Sequence, residues 1–417
     1  TPVVSFSDMR GKLDRQALID RRLGLQSLEV SGVFITLRRE AGGGVAVSSG
    51  QGDQSASRQS ANLARLVGDL GTLLLRPGLE ELTDLDVLAI TLRYEDERAG
   101  RAWTVDGGRV RLDREGSDLQ IAADIAILDG GAGVATIAAN YAGVIGAQNS
   151  EFGITINGLD AGDIATQGPA FGWLGALDAP ISGALRGGLN GDGSLRPLNA
   201  TLQIGAGVIQ PTAEAKPIPI DAARSYFTYL PQQQEIRFDE LSVESKWGSG
   251  RLEGGARLVQ AANGRIEDLI GQVQLSGLRL NPADLYAEPV EISAAELDFR
   301  LRTVPFALEL GRLQILDRGQ VLTARGKLSA DRGGWDIALD AEMDGLSPAR
   351  LLELWPEGVK PKSRNWINEN VFAAKLSDAS GALRFTQGGV PRTYLAFDFA
   401  EADVRFVKTL PPIRNGK

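Results

Sequence analysis

The chain has 417 residues and a formal charge of -9, from 44 Lys plus Arg against 53 Asp plus Glu. A composition that is 43% hydrophobic and 23% charged excludes a disordered tail, and the acidic balance argues against nucleic acid as the main partner. There is no His and no Cys. That removes the commonest general base, thiol catalysis, thiolate metal sites and disulfides, so neither a catalytic site, a metal nor a cofactor is expected.

In chain order, the first strand candidate is Leu25 to Arg38, with Leu28, Val30, Val33, Ile35 and Leu37 apolar. A second follows the Gly42-Gly43-Gly44 turn. Residues 51–60 are small, polar and loop-like. Ala61 to Leu75 has helical spacing at Leu63, Leu66, Val67, Leu70 and Leu74. It reads as a helix packed on a sheet, or alternatively as one on a membrane surface or over a groove. With Arg65 and Asp69 inside it, it is too short and too charged to span a bilayer.

From Leu82 the period becomes two. Strands are predicted over Leu82 to Tyr94, Trp103 to Val105, Val110 to Asp113, Leu119 to Leu128 and Val134 to Tyr141, with turns at Gly107-Gly108, Glu115-Gly116 and Gly130-Gly131. Asn190-Gly191 and Asp192-Gly193 are hairpin-turn dipeptides. Further strands are predicted over Ser225 to Leu230, Glu235 to Lys246, Gly250 to Gln260, Gly271 to Leu280, Ala295 to Arg302, Phe306 to Leu316, Gln320 to Ala330, Trp335 to Met343, Gly381 to Thr386 and Tyr394 to Phe399. Helices are predicted at Pro348 to Leu354 and Ser363 to Asn370. The fold class is therefore mainly β: a long curved antiparallel sheet forming an elongated groove, with short interspersed helices. Three blocks are expected, 1–155, 156–345 and 346–417, as parts of one continuous assembly.

One phrase recurs: G-L-D-A-G-D-I from Gly158, G-L-R-L-N-P-A-D-L from Gly277 and G-L-S-P-A-R-L from Gly345. Each copy follows an alternating run and opens a helical turn. Two copies place Pro near the first helical position, where its fixed φ fits. The uneven spacing suits a sheet that breaks at a small helix and resumes, rather than a solenoid.

Chemistry-bearing motifs are absent. No phosphate-binding loop, dinucleotide fingerprint or G-x-S-x-G elbow occurs. The G-G-L-N-G-D-G-S-L run from Gly187 reads as a hairpin turn rather than a calcium repeat. The carboxylates Glu80, Glu81, Asp84 and Asp86, the group Glu95 to Glu97, and Asp340, Glu342 and Asp344 read as solvated charges. Trp355 and Trp366 bracket Lys360, Lys362 and Arg364, a combination that suits either a lipid head-group interface or a helical plug over the sheet.

L-E-V-S-G-V-F-I-T-L-R-R, L-D-V-L-A-I-T-L-R-Y-E-D-E and A-P-I-S-G-A-L-R-G-G-L-N-G-D-G-S-L resemble AsmA-like proteins of Gram-negative envelopes. W-P-E-G-V-K-P-K-S-R-N-W-I-N-E-N-V, L-S-D-A-S-G-A-L-R-F and V-R-F-V-K-T-L-P-P-I are similar to the YhdP-like branch. The resemblance implies a periplasmic protein held to the inner membrane by an N-terminal anchor, of which this chain is an interior piece. It implies a curved sheet with an apolar groove that moves phospholipid towards the outer membrane.

The residues carry the same reading independently, because a sheet with one apolar face needs something to cover it. The groove candidates are Leu119, Ile121, Ile125, Ile127, Leu297, Phe299 and Leu301, expected to form one continuous surface for phospholipid acyl chains. Trp355 and Trp366 are the membrane or plug candidates. The alternative is a scaffold that binds envelope proteins by strand addition at an open edge. A polysaccharide-active enzyme is disfavoured, because no carboxylate pair stands out.

Overall fold

A computed structural model of the chain describes residues 5–40, 45–47, 71–97, 100–128, 133–261, 264–407 and 409–416. The protein is mainly β, with 64% strand against 12% helix, and its sheet is not closed into a barrel. It divides into two compact units. One comprises Thr1–Thr166, Pro180–Leu202 and Thr228–Pro231; the other comprises Gln167–Ala179, Gln203–Phe227 and Gln232–Lys417.

The first unit begins with β1 (Asp8–Leu13) and α1 (Arg15–Ile19), a short helix that the sequence reading missed. Asp14 caps α1 by accepting from the Ala17 amide at 2.7 Å. β2 (Leu25–Ser31) and β3 (Phe34–Arg39) split the single strand expected there, at Gly32, whose φ is +64°. β4 (Val45–Val47) pairs with β3. Residues 71–74 are helical; the remainder of the helix expected over 61–75, and the Gly42-Gly43-Gly44 and Gly130-Gly131 turns, lie outside the described residues.

Next come β5 (Asp84–Asp96), β6 (Arg101–Glu115), β7 (Asp118–Leu128), β8 (Val134–Val144) and β9 (Ser150–Asp160). They pair antiparallel in succession. β2 and β3, however, both run parallel to β5, so the sheet is mixed rather than purely antiparallel. The Gly107-Gly108 turn is a second correction. Those glycines form a bulge inside continuous β6, with the register shifting between Val105 and Arg109 and φ of +72° at Gly107.

β9 ends in α2 (Ala161–Gln167). A 3-10 helix (Pro169–Ala176), not anticipated from the sequence, and β10 (Leu177–Asp178) follow in the second unit. β11 (Pro180–Leu189) returns to pair with β9. The predicted turn after it is present, closed by Asn190 donating its amide to the Ser194 carbonyl at 2.8 Å. β12 (Leu198–Ile204), β13 (Gly207–Ile209), β14 (Ile218–Ile220) and β15 (Ala222–Leu230) come next. Of these, β13 and β14 join β10 in a small three-stranded sheet.

The second unit is a run of antiparallel hairpins. Its strands are β16 (Glu235–Ser245), β17 (Gly248–Gln260), β18 (Ile266–Leu280), β19 (Val290–Arg302), β20 (Ala307–Asp317), β21 (Gln320–Asp331) and β22 (Gly334–Leu346). After α3 (Pro348–Leu354) and α4 (Pro361–Asn370) come β23 (Val371–Thr386), β24 (Arg392–Val404) and β25 (Ile413–Gly416). All three copies of the recurring phrase do open a helical turn after a strand: α2 after β9, a 3-10 turn (Pro282–Asp284) after β18, and α3 after β22.

A candidate apolar binding face

The second unit's sheet presents four rows of apolar residues that cross its strands in register. One row runs Phe238, Gly254, Val273, Leu297, Leu313, Ala324, Ala341, Gly381 and Leu395. A second runs Ile236, Ala256, Gly271, Phe299, Leu310, Gly326, Leu339 and Leu383 through the same pairings. The rows through Leu275–Ala295–Ile315–Leu322–Met343 and Leu269–Leu301–Leu308–Leu328–Ile337 lie on either side. A period of two places each strand's alternate residues on the other face. That face is charged, with ion pairs of Arg300 to Asp268 at 2.8 Å, Arg312 to Asp298 at 3.3 Å and Arg384 to Asp340 at 2.7 Å. The Arg300 hydrogen bond holds the Asp268 carboxyl below its ordinary value.

Two glycines in these rows mark close approaches between neighbouring strands. A Cβ built on Gly271 would stand 2.3 Å from the Gly255 carbonyl oxygen and 2.8 Å from the Ala256 Cα, and one on Gly326 would stand 2.3 Å from the Ala338 carbonyl oxygen. Any larger residue there would collide with the backbone of the neighbouring strand.

Among the described residues, two segments cover the ends of the face. At one end, segment 212–220 lays Ala215 and Ile218 on Ala330, Trp335 and Leu328. The Trp335 indole donates to the Lys216 carbonyl at 2.7 Å, and Lys216 donates its amide to Gln387 Oε1 at 2.8 Å. At the other end lie α3 and α4. Ser347 caps α3 by accepting from the Arg350 amide at 3.2 Å. Arg350 then reaches Asp317 at the end of β20 with two bonds, of 2.8 and 2.7 Å, both side chains being buried. It also bonds Glu353 at 2.7 Å, and that bond holds the Glu353 carboxyl below its ordinary value. Between the two ends the large side chains, among them Leu297, Phe299, Leu301, Leu310, Leu313 and Leu339, are only half-buried. The fully buried positions in these rows are Ala256, Ala295 and Ala324 together with Val273 and Met343.

Leu297, Phe299 and Leu301 thus lie at the middle of this face, paired with Leu313, Leu310 and Leu308. Leu119, Ile121, Ile125 and Ile127 belong to the first unit, on β7. There Leu119 is buried with Leu74, Leu82 and Leu112, and Ile121 packs against that cluster. Ile125 and Ile127 are half-buried beside Ile137 and Val105. The structure therefore brings the seven together as two groups, one in each unit.

The plug candidates lie within the α3–α4 hairpin, Trp355 at the end of α3 and Trp366 in α4. Trp355 donates its indole to the Val359 carbonyl at 2.6 Å and lines a 290 Å³ cavity with Leu346, Leu354 and Tyr394. Trp366 lines a second cavity of 510 Å³ between α4 and β23–β24.

Arg350, Asp317, Asp163 and Arg39 escaped the sequence reading, and Asp96, read there as a solvated charge, is instead buried 3.1 Å from Arg39, because the fold lays β3 beside β5. Part of the signal was in the recurring phrase. Its third residue is the cap (Asp160, Ser347), and the charged residue three further on (Asp163, Arg350) turns inward. Asp163 accepts from the Trp103 indole at 2.9 Å and from Arg101.

Among the described residues no group of His, Cys, Asp and Glu stands close enough to hold a metal ion, and no helix is long and apolar enough to cross a membrane. Comparison with protein-family models, with curated proteins and with solved structures finds no match.

Proposed function

We propose that the apolar face of β16–β24 carries phospholipid acyl chains without chemical change. On this reading the chain is a segment of a lipid conduit in the periplasm of a Gram-negative envelope, as its resemblance to AsmA-like and YhdP-like proteins implies. The observation that carries the proposal is the set of unbroken apolar rows, in which most of the large side chains stay half-buried. Such a face leaves apolar surface in water unless something apolar lies on it. Each methylene that leaves water contributes about 0.8 kcal/mol, so a sixteen-carbon chain gains on the order of 10 kcal/mol before the losses of association. The face offers no polar group for chemistry, and transfer of an intact lipid needs none.

A photo-crosslinking residue in place of Phe299, in the full-length protein in its own cells, tests this. Mass spectrometry of the purified adduct should find phospholipid. Adducts with protein alone would overturn the conduit reading and favour a scaffold that binds another chain.

A further inference from the structure

We infer that the 510 Å³ cavity beneath α4 is a binding site for a single-chain amphiphile with an anionic head, whose charge is held by Lys362. This rests on the acyl-chain reading above but concerns a separate site, at the side of the helical hairpin rather than on the open sheet. The cavity is walled by Leu376, Phe399 and Val404 from the strands and by Trp366 and Ile367 from α4. Among the described residues, Lys362 and Ser363 are the only polar ones that line it. An acyl chain brings no backbone N–H or C=O group, and this wall has little to satisfy one.

Size agrees with this. A methylene fills about the ~30 Å³ that a water takes in the liquid, so the space is ample for one chain of about sixteen carbons. The rim supplies the other half of the recognition. Lys362 is exposed and makes no ion pair or hydrogen bond among the described residues, whereas most arginines of the hairpin and its neighbours are paired. Trp366 and Phe406 stand 6.1 Å apart beside it with much of their rings in solvent, a pair suited to the first methylenes below a head group.

The strands are shaped to this cavity. The β23–β24 register breaks between Val371 and Ala373, between Ala373 and Lys375, and between Ser377 and Ser380. Asp378 and Glu401 there take φ of +48° and +52°. Bulges of this kind bend a strand and re-aim its side chains, and they concentrate beside binding sites. The breaks fall in the two strands that wall the cavity.

Equilibrium binding of palmitate, of palmitoyl-lysophosphatidylglycerol and of uncharged monopalmitoylglycerol to the full chain tests the assignment. The two anionic ligands should bind one to one, and the uncharged one about fivefold more weakly. Lys362→Glu should remove that advantage without changing monopalmitoylglycerol binding, and Lys362→Arg should keep it. Ala374→Phe, which fills the cavity, should abolish binding of all three. Equal affinities for charged and uncharged ligands, or binding indifferent to Ala374→Phe, would overturn the proposal. Should Ala374→Phe fail to fold, the rim variant Lys362→Glu decides alone. Phe299→Asp separates the two readings. It should leave this binding intact; if it abolishes it, the bound chain lies on the sheet face, and this site is refuted while the conduit stands.

Discussion

Among single residues, the buried ion pair of Arg350 with Asp317 carries the most weight. Each side chain is only 8% exposed, so removing one partner strands a charge away from water. Asp317→Asn should destabilise the second unit by about 3–5 kcal/mol, read as a lower urea midpoint. Arg318, which pairs with Glu353 at the surface, is 61% exposed, and Arg318→Ala should change the midpoint by less than about 0.5 kcal/mol. Acid should act through the same network. Arg350 and Arg318 hold Glu353 below its ordinary 4.5, and Arg300 holds Asp268 below 3.8. A lowered folded-state pKa means stability that is complete above the ordinary value and lost as the pH falls through the folded one. Urea midpoints should therefore hold steady from pH 7 to pH 5 and fall below about 4.5. Glu353→Gln should lower the neutral midpoint and flatten that fall; a midpoint that rises on acidification would contradict the assignment.

For whole elements the telling feature is the bulge. In β20 the apolar positions run Leu308, Leu310, then Leu313, Ile315, a phase slip at Gly311-Arg312, where the register with β21 shifts. Both halves still face the same way because the bulge absorbs one residue. Deleting Gly311 restores plain alternation and should leave a folded sheet by circular dichroism. Deleting Gln314 moves Ile315 to the charged face and drags Asp317 away from Arg350, and should abolish the cooperative transition. The same slip explains the misreading of Gly107-Gly108. Two glycines between short alternating runs look like a turn, but the neighbouring β5 is a single 13-residue strand, and only a continuous partner can satisfy its ladder. Helices were legible where the hydrophobic period and a cap coincided, as at Pro348–Leu354. They were missed at Arg15–Ile19, which is too short to show a period.

On the scale of the whole molecule, the contrast is between a filled core and an open face. Leu119 is 4% exposed inside a cluster with Leu74, Leu82 and Leu112. Leu119→Asp should unfold the first unit, because a carboxylate there costs several kcal/mol or must take up a proton. Phe299 is only half-buried, so Phe299→Asp should leave the second unit folded while removing its capacity for acyl chains. Thermal melts of the two variants, set beside lipid capture, check the difference. Comparable unfolding by both would mean that the Phe299 face is an ordinary core.

The sequence by itself determined the β class, most strand positions, the three strand-to-helix phrases and the inward set of each strand, because alternation and glycine turns are local properties. It also placed Leu297, Phe299 and Leu301 on one face. Only the tertiary structure decided which strands pair, that β2 and β3 lie parallel to β5, and that the apolar rows of nine strands line up. Register between strands depends on long-range pairing and bulges that no single strand encodes. The same holds for Arg350 with Asp317 and for Lys362 at the mouth of its cavity. Their meaning comes from partners brought close by the fold, and a sequence read one segment at a time does not show where those partners stand.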